Sequence, residues 1–125
     1  MPIVVLCVDD DPTALAVRRL LLSVVGYTVL TAATCEAALE LFACSQVDLV
    51  ITDHMLTGHT GAELTFQMKQ LRPEVTIVAL SAWMEPPSGY EHADLLLNKG
   101  IAPEEFLAEI KSLLAARPRR QDFEG

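Results

Sequence analysis

Apolar residues fall along this chain in two alternating patterns. Short apolar runs, the first four rich in β-branched residues, cover Ile3 to Val8, Tyr27 to Ala32, Val47 to Asp53, Val75 to Leu80 and Asp94 to Asn98. Five of the seven residues from Val47 to Asp53 are apolar or β-branched, and the run holds neither Gly nor Pro. A strand covered by helices on both faces loses the in/out alternation, so such runs predict buried strands. Between them the apolar spacing becomes helical. Asp11-Pro12 reads as N-cap and first helical position, followed by Leu15, Leu20, Leu21, Val24 and Val25 and a stop at Gly26. Thr34 caps a helix to about Cys44, with Ala38, Leu39, Leu41 and Phe42 towards the core. Thr60-Gly61-Ala62-Glu63 has the capping-box form and opens a helix to about Leu71, closed by Arg72-Pro73. Pro103 starts the last helix, to about Ala116, with Phe106, Leu107, Ile110, Leu113 and Leu114 on one face. The stretch Trp83 to His92 holds two prolines and a glycine, so any helix there is expected to be short or irregular.

Strands alternating with helical segments specify an α/β fold: one doubly wound domain, its parallel sheet joined by right-handed crossovers and covered by helices on both faces. Residues 1–117 are expected to form that domain, and 118–125 a tail or linker. With 125 residues, 51% hydrophobic and 21% charged, the chain is long enough for one core and reads as globular. No apolar run reaches the ~20 residues of a membrane span. The opening Met1-Pro2-Ile3 has no basic segment of the kind that starts a signal peptide, and a cytoplasmic location is expected. A formal charge of -8 argues against nucleic-acid binding by this domain, which would need a basic face. The basic exception, Arg117-Pro118-Arg119-Arg120, reads as a solvated tail. Cys7, Cys35 and Cys44 fit no zinc spacing, and Cys7 reads as a small core residue. His54, His59 and His92 read as loop or surface residues.

The polar residues at the strand ends carry the chemistry. Asp9 and Asp10 follow the first strand, Asp53 ends the third, Ser81 ends the fourth and Lys99 follows the fifth. In a parallel sheet these ends share one edge, outside which ligands bind. Three carboxylates repel one another unless a cation neutralises them. Hard oxygen ligands suit Mg²⁺, which takes one or two carboxylates and bridges to phosphate oxygens. A carboxylate can attack phosphorus, while a metal, an ammonium and a hydroxyl hold the oxygens of the transferring group. The set therefore points to acyl-phosphate formation.

These motifs, over about residues 3 to 116, resemble a receiver domain of two-component response regulators, chemotaxis-receiver-like. The resemblance implies a five-stranded sheet of order 2-1-3-4-5. It implies Asp53, in Asp53-His54-Met55-Leu56, as phosphoacceptor. Mg²⁺ (or Mn²⁺) would be held by Asp10, Asp53 and the Met55 carbonyl, with Asp9 acting through water. Ser81 matches the switch hydroxyl, Lys99 the phosphoryl-pairing lysine, and Gly61 the glycine closing the loop after the acceptor. Met55 and Trp83 occupy the positions that border the attacking water, and slow self-hydrolysis is expected. The implied partners are a sensor histidine kinase or phosphotransfer protein, and a downstream protein or like subunit on the face of strand five and the last helix.

The chain departs from the family pattern in places. Gly100 follows Lys99 where proline is usual, and a cis bond before a non-proline residue costs ~2.5–4 kcal/mol, so a trans bond is expected. Thr57 replaces the usual proline four residues after the acceptor. Leu96 stands at the switch-aromatic position, so no ring flips there, and Leu95-Leu96-Leu97 makes that edge unusually apolar. Two alternatives remain. One is a pseudo-receiver, an interaction module that works unphosphorylated. The other rests on Asp9-Asp10-Asp11-Pro12-Thr13, which fits the nucleophile motif of haloacid-dehalogenase-type phosphatases with Asp9 attacking.

Overall fold

The first buried run forms β1 (Val4–Val8) at the centre of a parallel sheet, flanked by β2 (Thr28–Ala32) and β3 (Leu49–Asp53). The computed structural model describes residues 3–53, 55–56, 59–81 and 93–116. Beyond β3 come β6 (Thr76–Ser81) and β7 (Leu95–Asn98), giving the order β2-β1-β3-β6-β7. Counting these five strands alone, this is 2-1-3-4-5, a doubly wound arrangement whose ligand crevice opens between the first and third strands. Four helices are described: α1 (Pro12–Val24), α2 (Cys35–Cys44), α3 (Gly61–Leu71) and α4 (Pro103–Ala116). The expected irregular stretch from Trp83 to His92 lies outside the described residues, as does the tail from 117 onward.

The sheet separates two cores. Leu6, Val8, Val50 and Ile77 pack on one face with Ala38 and Phe42 of α2 and Leu64 and Met68 of α3. Val5, Cys7, Leu49, Ile51, Val78 and Leu80 pack on the other with Leu15 and Leu22 of α1 and Phe106, Ile110 and Leu114 of α4. Alternate residues of one strand serve opposite cores, which is why the central runs are apolar throughout. Cys7 is wholly buried, and burial pushes its thiol up to about 12; it is a packing residue and no nucleophile.

Local chemistry sets the ends of the elements. Asp11 caps α1, its carboxylate accepting from the Thr13 N–H at 3.0 Å. At the other end Gly26 takes a positive φ of 104°, the Tyr27 N–H donates to the Leu22 carbonyl and the Gly26 N–H to that of Ser23. This pair of bonds satisfies two carbonyls that the helix leaves open, and glycine supplies the left-handed turn without steric cost. It also explains why β2 starts at Thr28 and not at Tyr27. Thr34 caps α2 by accepting from the Ala37 N–H. The Asp94 side chain, just before β7, accepts from the Ile77 N–H at 2.8 Å and pairs with Lys69 of α3 at 2.9 Å, so the sheet edge is tied to its covering helix.

Two expectations need correction. Leu20, Val24 and Val25, read as part of the apolar stripe of the first helix, are 65%, 76% and 52% exposed. The inward stripe is instead Leu15, Arg18 and Leu22, spaced i, i+3 and i+7 on one helical face. A charged residue in the middle of that stripe hid it from a count of apolar positions. The turn-rich loop after Asp53 holds a small hairpin, in which β4 (Met55–Leu56) pairs antiparallel with β5 (His59–Thr60). Elements of two residues leave no periodic trace in a sequence.

Candidate functional site

The end of β1 and the end of β3 lie side by side, with Val8 in register with Thr52, so Asp9 and Asp53 leave the sheet together. One carboxylate oxygen from each of Asp9, Asp10 and Asp53 can be chosen such that all lie within 4.8 Å of one another. Asp9 is wholly buried, Asp53 is 5% exposed and Asp10 is exposed. Such a set of hard oxygen donors fits a divalent cation of the Mg²⁺ type, and its mutual repulsion calls for positive charge.

Two cations supply some of it. Lys99 Nζ stands 2.9 Å from Asp53 Oδ1 and 3.8 Å from Asp9 Oδ2. Its backbone is moored at the sheet edge by an N–H bond of 2.8 Å to the Ser81 carbonyl. The turn after it is closed by Asn98, whose Oδ1 accepts from the Gly100 N–H at 2.7 Å. No peptide bond among the described residues is cis, so the Lys99–Gly100 bond is trans as expected. Proline at position 100 would remove the N–H that Asn98 uses; here the turn has its own lock.

The second cation is Arg18, which reading the sequence alone missed. Its guanidinium donates to Asp9 Oδ2 at 2.8 Å, while Asp9 Oδ1 accepts from the Asp11 N–H at 2.9 Å. Both oxygens of the buried carboxylate are thus engaged, as burial of an ionised group demands. The signal that could have found it is a charge on the core-facing stripe of α1, two turns beyond the acidic run.

Ser81, the last residue of β6, is buried and in register with Asn98 of β7. Leu96 of β7 pairs with Ala79 of β6 and is half-buried. The backbone of Met55 lies in β4, next to the end of β3; its side chain is outside the described part, and so is Trp83. No helix among the described residues is long and apolar enough to cross a membrane.

Comparison with known proteins bears on this arrangement. The family model described as the response regulator receiver domain matches residues 5–111. The response regulator MprA of Mycolicibacterium vanbaalenii is 35% identical over 118 residues, covering 91% of this chain and 51% of the relative. The probable transcriptional regulator ycf27 of Cyanophora paradoxa is 34% identical over 116 residues, covering 88% and 47%. The chain spans about half the length of these curated relatives. Among solved structures, the response regulator protein TrrA of Thermotoga maritima, in complex with Mg(2+)-BeF, superposes with a TM-score of 0.83 at 27% identity, over 89% of this chain and 98% of that one. The BeF3-activated DrrB receiver domain gives 0.82 at 30% identity, over 92% and 99%. The doubly wound sheet, its acidic edge and these matches agree: the chain belongs to the response regulator receiver domains of two-component systems.

Proposed function

We propose that the domain is a phosphoryl-accepting switch, in which Asp53 takes a phosphoryl group from a phosphohistidine on a sensor histidine kinase or a phosphotransfer protein. The observation that carries this reading is the packing of three carboxylates at one sheet edge, with the Lys99 ammonium 2.9 Å from Asp53 Oδ1. Asp10, Asp53 and the Met55 carbonyl would hold Mg²⁺ (or Mn²⁺), with Asp9 reached through water. The metal, when bound, neutralises charge on the carboxylates and on the phosphoryl oxygens. An Asp53 oxygen attacks phosphorus and the P–N bond to the imidazole breaks. Its electron pair returns to the imidazole nitrogen. Lys99, already beside Asp53, pairs with an oxygen of the incoming group, and Ser81 follows from the next strand end.

The acyl phosphate adds about one net negative charge at the site relative to the carboxylate, since phosphoryl groups carry about −2 near neutral pH. Drawing Lys99 and Ser81 towards it pulls on β6 and β7, whose ends they terminate. A near-complete switch needs ~5.5 kcal/mol of differential stabilisation. The output face is that of β7 and α4, offered to a downstream protein or a like subunit; Leu96 contributes no aromatic flip. The domain works in the cytoplasm, binds no nucleic acid itself, and catalyses only its own phosphorylation and dephosphorylation. Residues 1–117 act as the receiver unit and 118–125 as tail or linker. The phosphatase alternative, with Asp9 as nucleophile, has less support, because both Asp9 oxygens are engaged by Arg18 and the Asp11 N–H.

The test is phosphoryl uptake from acetyl phosphate in Mg²⁺, followed by intact mass. A gain of one phosphoryl group, abolished by EDTA, is expected. No uptake from acetyl phosphate or from a phosphohistidine protein favours the unphosphorylated interaction module. The lifetime of the product is also expected to be long, because methionine at 55 and tryptophan at 83 cannot orient water. Met55→Asn shortens it about tenfold, a modest part of what a positioned proton acceptor contributes. A wild-type half-life of seconds, unchanged by this substitution, removes the lifetime role.

A further inference from the structure

Arg18 takes no part in the phosphoryl transfer described above, yet it occupies a costly position. It lies on the inward stripe of α1 between the buried Leu15 and Leu22, where an apolar residue would pack, and its side chain is only 13% exposed. Burying a guanidinium there is favourable only with a close partner, and the partner is Asp9 Oδ2 at 2.8 Å. Asp9 also has the Asp11 N–H on Oδ1 and Lys99 at 3.8 Å.

We propose that Arg18 is a resident cation of the acidic site, which competes with the divalent metal for the charge of Asp9 and so sets the metal affinity of the unphosphorylated domain. This rests on the phosphoryl-switch reading. The charges make the case. Asp9, Asp10 and Asp53 carry −3, and Lys99 and Arg18 carry +2, so these five groups sum to −1. Without Arg18 the sum is −2, and a divalent cation meets twice the net charge. Once Asp53 carries a phosphoryl group of about −2, the two remaining carboxylates and that group sum to about −4. Lys99, Arg18 and a divalent cation then offset it fully. Arg18 therefore opposes the metal before phosphorylation, and the charge brought by the phosphoryl group outweighs that opposition afterwards. Arg18 acts through Asp9 and is a positioning residue.

The experiment uses the 125-residue chain, unphosphorylated, titrated with Mg²⁺ alone by calorimetry and with Mn²⁺ by electron paramagnetic resonance. Arg18→Met keeps the length and suits the apolar stripe. It is expected to bind either metal about tenfold more tightly, since an added charge a few ångströms away counts heavily in a partly buried site. Arg18→Lys, which keeps the charge, returns the affinity towards wild type. In EDTA, Arg18→Met melts below wild type because Asp9 has lost its closest cation, and saturating Mg²⁺ raises its melting temperature more than that of wild type. A purely structural Arg18 lowers the melting temperature equally with and without metal and leaves affinity unchanged, which overturns the proposal. Weaker metal binding in Arg18→Met also overturns it, as Arg18 would then be holding Asp9 ready for the metal. If Arg18→Met fails to fold, Arg18→Gln decides by the same criteria. Should wild type bind no metal and take up no phosphoryl group, the phosphoryl-switch reading falls and this proposal with it. Wild-type binding and uptake without a gain in the variant overturns the role of Arg18 alone.

Discussion

Asp53→Asn abolishes phosphoryl uptake while the domain stays folded. The substitution keeps shape and volume and removes only the nucleophilic oxygen and its charge. An amide is no nucleophile towards phosphorus, so the expected loss is complete, not graded, and no mass gain survives long incubation with acetyl phosphate and Mg²⁺. The fold should hardly notice. The pair joins an Asp53 side chain only 8% exposed to the Lys99 ammonium, 32% exposed, so solvent screens it in part and its net contribution is modest. Against it stands the repulsion among three clustered carboxylates, which loses one member. Thermal unfolding in EDTA is therefore expected at or above the wild-type temperature. The same substitution weakens Mg²⁺ binding, because one of the three carboxylates is gone. A variant that still gains a phosphoryl group moves the acceptor elsewhere, with Asp9 the next position to examine.

Phe42→Ala has the largest expected effect on stability, a loss of about 3–5 kcal/mol, as for other buried phenylalanines cut to alanine. Phe42 is wholly buried between α2 and the sheet, packed with the cluster of Leu6, Val8, Val50 and Met68. Its ring also carries the Arg72 guanidinium at 4.1 Å, and Arg72 donates to the Phe42 and Ser45 carbonyls at the end of α2. Truncation thus leaves a cavity and removes the face on which the end of α3 is held; the cation–π contact adds about 0.5–1 kcal/mol. Against a typical domain stability of about 5–15 kcal/mol, this is a large share. Urea unfolding reads it as a fall in midpoint with little change in slope. Leu20→Ala serves as the control. Although equally apolar in sequence, Leu20 is largely exposed and should change stability by no more than about 0.5 kcal/mol.

That contrast marks how far the sequence could be read. β1, β3 and β6 were legible because both of their faces are buried and their apolar runs carry no turn residues, and the half-buried edge strands β2 and β7 because each is a short apolar run between helical segments. Asp9, Asp10, Asp53, Ser81 and Lys99 could be brought to one edge because a parallel sheet puts all its strand ends together, whatever the details of the connections. Phe106, Ile110 and Leu114 of α4 were legible for a similar reason: a helix with one unbroken apolar stripe shows its inward face. In α1 the rule failed. Its inward stripe contains Arg18, and three large apolar residues face outward, so hydrophobicity and burial part company there. The failure falls at the site, since the residue that broke the pattern is the one that reaches Asp9. A local rule broken next to a cluster of buried charge is where function is to be sought. The hairpin after Asp53 was not legible, because its pairing depends on a turn and not on a period.

The central claim is that Asp53 is the residue that carries the phosphoryl group, and it can be tested at the atom. The chain is phosphorylated with acetyl phosphate in Mg²⁺ and treated with borohydride, which reduces an aspartyl acyl phosphate to homoserine, and the digest is sequenced by mass spectrometry. The account predicts homoserine at position 53, aspartate unchanged at positions 9 and 10, and neither product when Mg²⁺ is chelated. Homoserine at position 9, or no conversion in wild type under these conditions, contradicts it.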